Sequence, residues 1–108
     1  MHIARGSTYG FTINLPDGYD ITNAKEIWVT FGQDRKIILD LSLTNHDFEV
    51  EENHIICNLS QEQTLEFRTG NAIMQVRILT EDDSSLVQFP PTDVRIIPIL
   101  KGGVISNE

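Results

Sequence analysis

Apolar and polar residues alternate along most of this chain, and this period of two restricts its fold more than any other feature. Successive side chains of a strand point to opposite faces, so each such segment has one apolar and one solvated face. The pattern is clearest in four segments: Ile27–Phe31, Ile37–Leu43, Ile55–Leu59 and Met74–Ile78. Several alternating segments separated by turn residues are typical of an all-β sandwich or barrel.

Turn residues divide this pattern into about seven or eight predicted strands. The predicted strands are Ser7–Leu15, Glu26–Gly32, Lys36–Leu43, Phe48–Glu51, His54–Leu59, Ala72–Thr80, Ser85–Phe89 and Val94–Leu100. Gln33–Arg35 predicts a short hairpin loop, because another strand follows at once. Glu52-Asn53 predicts a tight two-residue hairpin, because asparagine tolerates a left-handed backbone. Pro16-Asp17-Gly18 predicts a turn after the first strand. Pro90-Pro91 predicts a bulge, an edge or a crossover, because proline cannot donate to a central ladder.

One segment breaks the β pattern and predicts a short helix between Leu59 and Ala72. Ser60 lies three residues before Gln63, which is the spacing of a capping box at a helix N-terminus. We therefore predict a single helical turn or a short helix over residues 61–66, which ends before Gly70.

The charge balance argues against two classes of partner. Sixteen acidic and eight basic residues give a net charge of −8, which opposes binding to nucleic-acid phosphates and to anionic membrane surfaces. The sequence contains no apolar run of transmembrane length, and its N-terminus lacks the apolar core of a signal peptide. We expect synthesis in the cytosol and no nucleic-acid or membrane partner. A third hypothesis is a small inhibitor or regulator whose acidic surface mimics nucleic acid. It would need the charge gathered on one face, but the acidic residues are scattered along the chain.

The residues offer little catalytic or metal-binding chemistry. Cys57 is the only cysteine, so an intrachain disulfide is ruled out. It alternates with Ile55 and Leu59, which predicts a small, buried, inert side chain. Acidic residues cluster at positions 49–52 and 81–83, and two interpretations are open. Their carboxylates could bind calcium, or they could form a solvated face at a strand edge. We predict no enzyme activity and no cofactor. The three histidines, which follow no metal-ligand spacing, are His2, His46 and His54.

Two aromatic residues are candidates for a binding surface. Trp28 is out of phase with Ile27 and Val29, so it faces the opposite side of its sheet. It is then covered by other parts of the chain, or it is exposed to a partner or a ligand. Tyr19 and Trp28 could also stack on sugar rings, which makes a glycan-binding module the alternative function.

Five stretches together resemble small proteins of phages and prophages of Gram-positive gut bacteria. They are Gly6–Thr12, Glu26–Gln33, Leu59–Leu65, Gln75–Thr80 and Ile99–Ile105. Such proteins look like single immunoglobulin-like sandwiches encoded among virion structural genes, and they are similar in plan to the N-terminal domain of phage baseplate upper proteins. The resemblance implies an immunoglobulin-like antiparallel β-sandwich, with one domain over residues 1–108. It supplies no catalytic residues.

The resemblance also implies a function. It predicts a non-enzymatic structural or adaptor protein of a virion tail, baseplate or head, which acts by contact with other virion proteins or with copies of itself. Such a protein would be found in the virion, and in the host cytoplasm during assembly. Residues 98–108 are then a mobile or partner-docking tail, with Leu100, Val104 and Ile105 available for burial. Trp28 is the other predicted contact residue.

Overall fold

Residues 1–16, 19–88 and 90–106 are described by the computed structural model, and they form nine strands and one short helix. The predicted turn residues Asp17 and Gly18 and the predicted strand residue Phe89 lie outside the described residues. The helix, α1 (Gln61–Leu65), lies between β6 and β7. The strands are β1 (His2–Ala4), β2 (Tyr9–Asn14), β3 (Glu26–Gln33), β4 (Lys36–Ser42), β5 (Phe48–Glu51), β6 (His54–Leu59), β7 (Gly70–Leu79), β8 (Ser85–Val87) and β9 (Thr92–Ile97).

The strands form two sheets that pack face to face. The larger sheet has the order β1-β9-β7-β3-β4, with β8 also paired to β7, and the smaller sheet has the order β2-β6-β5. Apolar side chains from both inner faces form the core, which confirms the predicted β-sandwich. An aromatic chain links the two sheets: Phe11 contacts Phe31 edge-on at 6.0 Å between ring centroids, and Phe31 contacts Phe67 edge-on at 5.5 Å.

The first strand differs from the prediction. β1 was not predicted, and it pairs in parallel with β9, with Ile3 opposite Ile96, so the sandwich is not purely antiparallel. The strand number is therefore nine among the described residues, one more than the upper predicted value. A three-residue strand is too short to show a period of two, and its partner lies at the other end of the chain. Only the tertiary structure brings the two segments together.

The interruption predicted at Pro90-Pro91 is confirmed. β8 pairs with the end of β7 and β9 pairs with its beginning, on the side of β7 away from β3. Gln88 bridges the gap, because its backbone N–H donates to the Val76 carbonyl at 2.9 Å and its side-chain Oε1 accepts from the Val76 N–H at 3.1 Å. Its Nε2 donates to Thr92 Oγ1 at 2.8 Å. Gln88 thus keeps both the N–H and the carbonyl of Val76 hydrogen-bonded just before the two prolines.

The predicted capping box is confirmed at the start of α1. Ser60 Oγ accepts from the Gln63 N–H at 3.1 Å, and Gln63 Oε1 accepts from the Ser60 N–H at 2.9 Å. The buried Thr64 fastens the helix to the segment between β1 and β2, since its hydroxyl donates to the Ser7 carbonyl at 2.7 Å and accepts from the Gly6 N–H at 3.0 Å. The helix ends at Leu65, one residue earlier than predicted.

Both predicted hairpin loops form, but Gln33 lies outside its predicted loop, and the left-handed residue of the other loop is not the asparagine. Gln33 was assigned to a loop and is instead a buried end of β3, whose carboxamide accepts from the Arg68 N–H at 2.8 Å and donates to the Arg68 carbonyl at 2.7 Å. In the β5–β6 hairpin the left-handed residue is Glu52, with φ of 51°, and not Asn53. Asn53 instead uses its side chain to donate to the Leu15 carbonyl at 2.7 Å.

Candidate functional site

The outer face of the larger sheet exposes several large apolar side chains, with the polar Thr30, Asp40 and Gln75 between them. We call it the apolar face, and it carries five exposed large apolar side chains: Trp28, Ile37, Ile73, Val87 and Ile97. The outer face of the smaller sheet is mostly polar. Its exposed residues are Gly10, Thr12, Asn14, Glu49, Glu51 and Asn58. Exposed apolar residues gathered on one side of a domain are typical of an interaction site.

Trp28 lies at one end of the apolar face, and it is 44% exposed. Its cross-strand neighbour on β7 is Arg77, whose guanidinium carbon lies 5.4 Å from the ring centroid. Arg77 Nε donates to Ser85 Oγ at 3.4 Å, which holds the guanidinium over the ring. A cation over an indole face is favourable. Trp28 is therefore exposed rather than covered by other parts of the chain, although Arg77 covers one face of its ring.

The carboxylate beside Trp28 is already used by the fold. Glu26 accepts hydrogen bonds from the Ile27 N–H at 2.9 Å, the Thr44 N–H at 3.1 Å and the Thr44 hydroxyl. Partial desolvation raises the pKa of this carboxyl, but the hydrogen bonds outweigh that effect and the net pKa is lowered. Glu26 therefore stays ionised and secures the turn after β4. Among the described residues, no other acidic side chain lines the small cavity of about 160 Å³ next to Trp28.

A groove crosses the other end of the apolar face, where β3 turns into β4. We call it the Gly32 groove, because Gly32 forms its floor between Ile37 on β4 and Ile73 on β7. Its volume is about 650 Å³, and its walls reach from β1 to the β3–β4 hairpin. That hairpin has a two-residue loop, with Asp34 and Arg35 at φ of 50° and 65°.

Basic side chains surround this groove although the whole chain is acidic. Arg35 and Lys36 lie at the hairpin end, and Arg95 lies on β9 across the groove. All three are exposed, and none forms an ion pair with an acidic side chain of the described residues. Of the two acidic lining residues, Asp34 is paired with Arg68, which leaves Asp93. The residues that line the groove therefore include both signs of charge, three basic and two acidic.

Tyr19, the other candidate aromatic residue, does not line the same cavity as Trp28. The two cavities share no lining residue among those described. Tyr19 is 49% exposed and lines a cavity of about 640 Å³ at the end of the sandwich. Two of the carboxylates there already cap turns. The Thr22 hydroxyl lowers the pKa of Asp20, and the Thr80 hydroxyl lowers the pKa of Asp82.

The C-terminal tail turns back onto the chain's own helix. Gln61 Oε1 accepts from the Ile105 N–H at 2.8 Å, and Gln61 Nε2 donates to the Ile105 carbonyl at 3.4 Å. The described part of the tail is thus docked in this structure, where the sequence predicted a mobile or partner-docked segment. Both of these hydrogen bonds use the Ile105 backbone. The side chains of the predicted contact residues Leu100, Val104 and Ile105 are exposed.

Catalytic and metal-binding groups are scarce within the described ranges. Cys57 is buried as predicted, and burial raises the pKa of its thiol to about 12. Within residues 1–16, 19–88 and 90–106, no three His, Cys, Asp or Glu side chains are close enough together to share a metal ion. The part of the chain that the structure describes also contains no helix long and apolar enough to cross a membrane.

The sequence predicted the outward direction of Trp28 but did not predict the groove. Ile37 was placed on the core-facing side with Leu39, yet it is 67% exposed. An irregularity between Phe31 and Gly32 shifts the β3–β4 register, so Ile38 packs against the core instead. Gly32 was the available signal, because a glycine within a strand often marks a bulge or a close approach.

Comparisons with known proteins show the fold. The chain matches no protein-family model and no curated protein. The crystal structure of CopC from Methylosinus trichosporium OB3b aligns over 94% of this chain and 87% of that one, with a TM-score of 0.57 and 10% identity. The extracellular domains of the voltage-gated sodium channel beta4 subunit, described as parallel homodimers, align over 100% and 90% with a TM-score of 0.43 and 10% identity. The chain is an immunoglobulin-like β-sandwich.

Proposed function

We propose that this chain is a non-enzymatic structural or adaptor protein of a phage virion, and that it acts through protein–protein contacts of its apolar face. The observation that supports this proposal is the exposure of Trp28, Ile37 and Ile73 on one sheet surface. The virion setting comes from the resemblance of the sequence to small phage and prophage proteins. The partners are other virion proteins or further copies of this chain.

The residue types on the apolar face suit a protein contact. Tryptophan and arginine are enriched at the centres of interfaces, where a few side chains supply most of the binding energy. Trp28 and Arg77 form such a pair, and Ser85 holds the arginine in place before any partner arrives. Ordering side chains before binding reduces the entropy cost of association.

The tail provides a second contact in this proposal. Leu100, Val104 and Ile105 present apolar side chains that the chain itself leaves uncovered. Each aliphatic side chain that a partner buries fully would contribute about 1.5–3 kcal/mol. Ile99 lies close to Gly6 and belongs to the folded domain. A truncation after Ile99 should therefore leave a folded domain that has lost this contact.

The test is mass spectrometry of particles purified from an induced culture of the source strain. The tryptic peptide that spans residues 69–77 identifies the chain. We expect many copies per particle. Trp28→Ala, introduced into the chromosomal gene, should reduce the amount per particle, whereas Thr12→Ala on the outer face of the smaller sheet should not. Particles that lack the peptide, from a lysate that contains it, would contradict the virion function.

A second candidate function is glycan binding, which the exposure of Trp28 and Tyr19 favours. In this function one aromatic ring serves as a platform for a sugar ring, in the cavity beside it. Trp28 fluorescence should then change on titration with cell-wall or host polysaccharides, and Tyr19→Ala or Trp28→Ala should abolish the binding. A flat titration over a broad polysaccharide panel, with wild-type protein, would argue against this function.

A further inference from the structure

The strand β2 lies at an edge of the smaller sheet, and it lacks the features that protect the other strand edges of this sandwich. We propose that two copies of this chain pair along β2, antiparallel and about a two-fold axis at Thr12, so that their smaller sheets form one six-stranded sheet. This proposal goes beyond the proposed function, because it concerns a surface on the other sheet from the apolar face.

The other edges are short or charged. β1 and β8 have three residues each. The edge strand β4 carries Lys36 and Asp40, and the edge strand β5 carries Glu49 and Glu51. Short length and charged side chains are the usual protections of an edge strand. β2 has six uncharged residues, Tyr9–Asn14, and pairs only with β6 among the described strands. Such an edge is a template for the addition of another strand.

The inner side chains of β2 are also incompletely covered. Phe11 and Ile13 point into the sandwich but remain partly exposed, whereas their cross-strand neighbours on β6, Cys57 and Ile55, are completely buried. The difference arises because β6 has a strand on each side and β2 has a strand on one side. A further strand beside β2 would remove more of this apolar surface from water, which favours association.

The hydrogen-bond pattern of β2 selects one register for the pairing. The Leu15 N–H donates to the Asn53 carbonyl at 2.9 Å, so Leu15 and the alternate residues before it direct their backbone groups toward β6. Gly10, Thr12 and Asn14 therefore direct theirs toward the open edge. An axis at Thr12 places Gly10 opposite the second copy's Asn14, and Thr12 opposite itself. Each pair exchanges two hydrogen bonds, so about six would form. A shift of the axis by one residue would place one of the three opposite a residue outside the strand.

The same register matches the side chains on both faces of the sheet. On the inner face, Phe11 lies opposite the second copy's Ile13, and an aromatic side chain opposite a β-branched one is a favourable cross-strand pair. On the outer face, Thr12 lies opposite Thr12 of the second copy, which is also a favourable pair. β2 is thus complementary to an antiparallel copy of itself. This self-complementarity identifies the occupant of the edge as a second copy of the chain.

The charge distribution permits this contact in a chain of net charge −8. Neither β2 nor β6 contains an acidic residue, and the acidic strand of this sheet is β5. In the dimer the two β5 strands would lie at opposite ends of the six-stranded sheet, five intervals or about 24 Å apart. This distance exceeds the screening length of about 8 Å at physiological ionic strength. The acidic strands of the two copies would therefore repel each other little.

The experiment is sedimentation velocity of the full chain between about 10 μM and about 1 mM, together with its amide NMR spectrum over the same range. We expect a reversible monomer–dimer equilibrium with a Kd inside this range, because a single pair of strands makes a small interface. The amides of Gly10, Thr12 and Asn14 should shift with protein concentration. The amide of Val50, on the edge strand β5, should not.

Opposite charges at Thr12 test the two-fold axis. Thr12→Glu and Thr12→Lys each place like charges opposite each other, and we expect each to weaken self-association about fivefold or more. An equimolar mixture of the two should associate at least as well as the wild type. Asn45→Glu, in the turn between β4 and β5, is the control for Thr12→Glu and should dimerise as the wild type does. Thr12 and Asn45 are exposed, so all three variants should fold.

Three results would overturn the proposal. The first is a chain that stays monomeric up to about 1 mM. The second is a dimer that Thr12→Glu and Thr12→Lys leave unchanged but Trp28→Ala disrupts, which would assign self-association to the apolar face. The third is a mixture of the two charged variants that associates no better than either alone, because Thr12 would then not lie opposite itself. Particles that lack the chain would refute the virion function and leave the β2 dimer standing.

Discussion

The two sheets of this sandwich have similar inner faces and different outer faces. Both inner faces are apolar and tightly packed, and Phe11, Phe31 and Phe67 join them. The outer face of the smaller sheet carries Thr12 and Asn14, and acidic residues on its edge strand β5, as is common for a strand edge that must stay soluble. The outer face of the larger sheet instead exposes tryptophan and isoleucine.

This difference predicts that substitutions on the inner and outer faces have different effects on stability. The inner faces already bury the aliphatic and aromatic residues that hold the sheets together. The exposed apolar side chains of the larger sheet lie outside that core, so they are available to a partner. Substitutions on the two sides of a single strand should therefore have different consequences, and the predictions below use this contrast.

The largest expected effect comes from the two faces of β3. Phe31→Ala should lower the free energy of unfolding by about 3–5 kcal/mol, because it leaves a cavity between two other aromatic rings. Trp28→Ala, three residues earlier on the outer face, removes a half-exposed ring and its contact with Arg77, and should cost only about 1 kcal/mol. Urea unfolding of both variants measures the difference. Equal losses would show that the apolar face stabilises the fold.

A pair of threonines provides the second comparison. Thr64→Val removes a buried hydroxyl and leaves the Gly6 N–H and the Ser7 carbonyl without their partner, so we expect a loss of about 1–3 kcal/mol. Thr12→Val changes an exposed residue on the outer face of the smaller sheet and should stay within about 0.5 kcal/mol of the wild type. Thermal or urea unfolding tests both. A large loss for Thr12→Val would mean that this polar face also supports the fold.

The pH dependence of stability tests whether the Cys57 thiol, on the inner face of the smaller sheet, is shielded from water. Burial raises the pKa of the Cys57 thiol from 9.0 to about 12. Above pH 9 the unfolded chain releases this proton and the native chain keeps it, so this contribution to stability is complete below pH 9 and falls as the pH rises toward 12. The urea midpoint of the wild type should fall more steeply over this range than that of Cys57→Val. Identical slopes would contradict a desolvated thiol.

The smallest effect on stability is expected at the tail. Gln61→Ala removes both hydrogen bonds to the Ile105 backbone but touches no core residue, so stability should change by less than about 0.5 kcal/mol. Limited trypsin digestion should nevertheless cleave faster after Lys101, because the released tail becomes accessible. Glu62→Gln, at the next helix position, is the control. Unchanged cleavage in Gln61→Ala would show that other contacts hold the tail.

Local signals predicted most of the architecture and only part of the candidate site. The period of two placed eight of the strands within a few residues of their observed bounds, and the capping box placed α1. The phase of Trp28 against Ile27 predicted its outward direction. The groove was not predicted, because its cations come from a hairpin and from β9, which are about 60 residues apart in the sequence.

The sequence by itself determined the all-β sandwich, the short helix and the buried thiol, since each depends on the pattern of neighbouring residues. The tertiary structure decided three other features: the parallel pairing of β1 with β9, the register shift that turns Ile37 outward, and the burial of Gln33 against Arg68. Each of these depends on which distant segments become neighbours. Pairing between distant strands is set by the packing of the whole domain, so the pattern of neighbouring residues does not predict it.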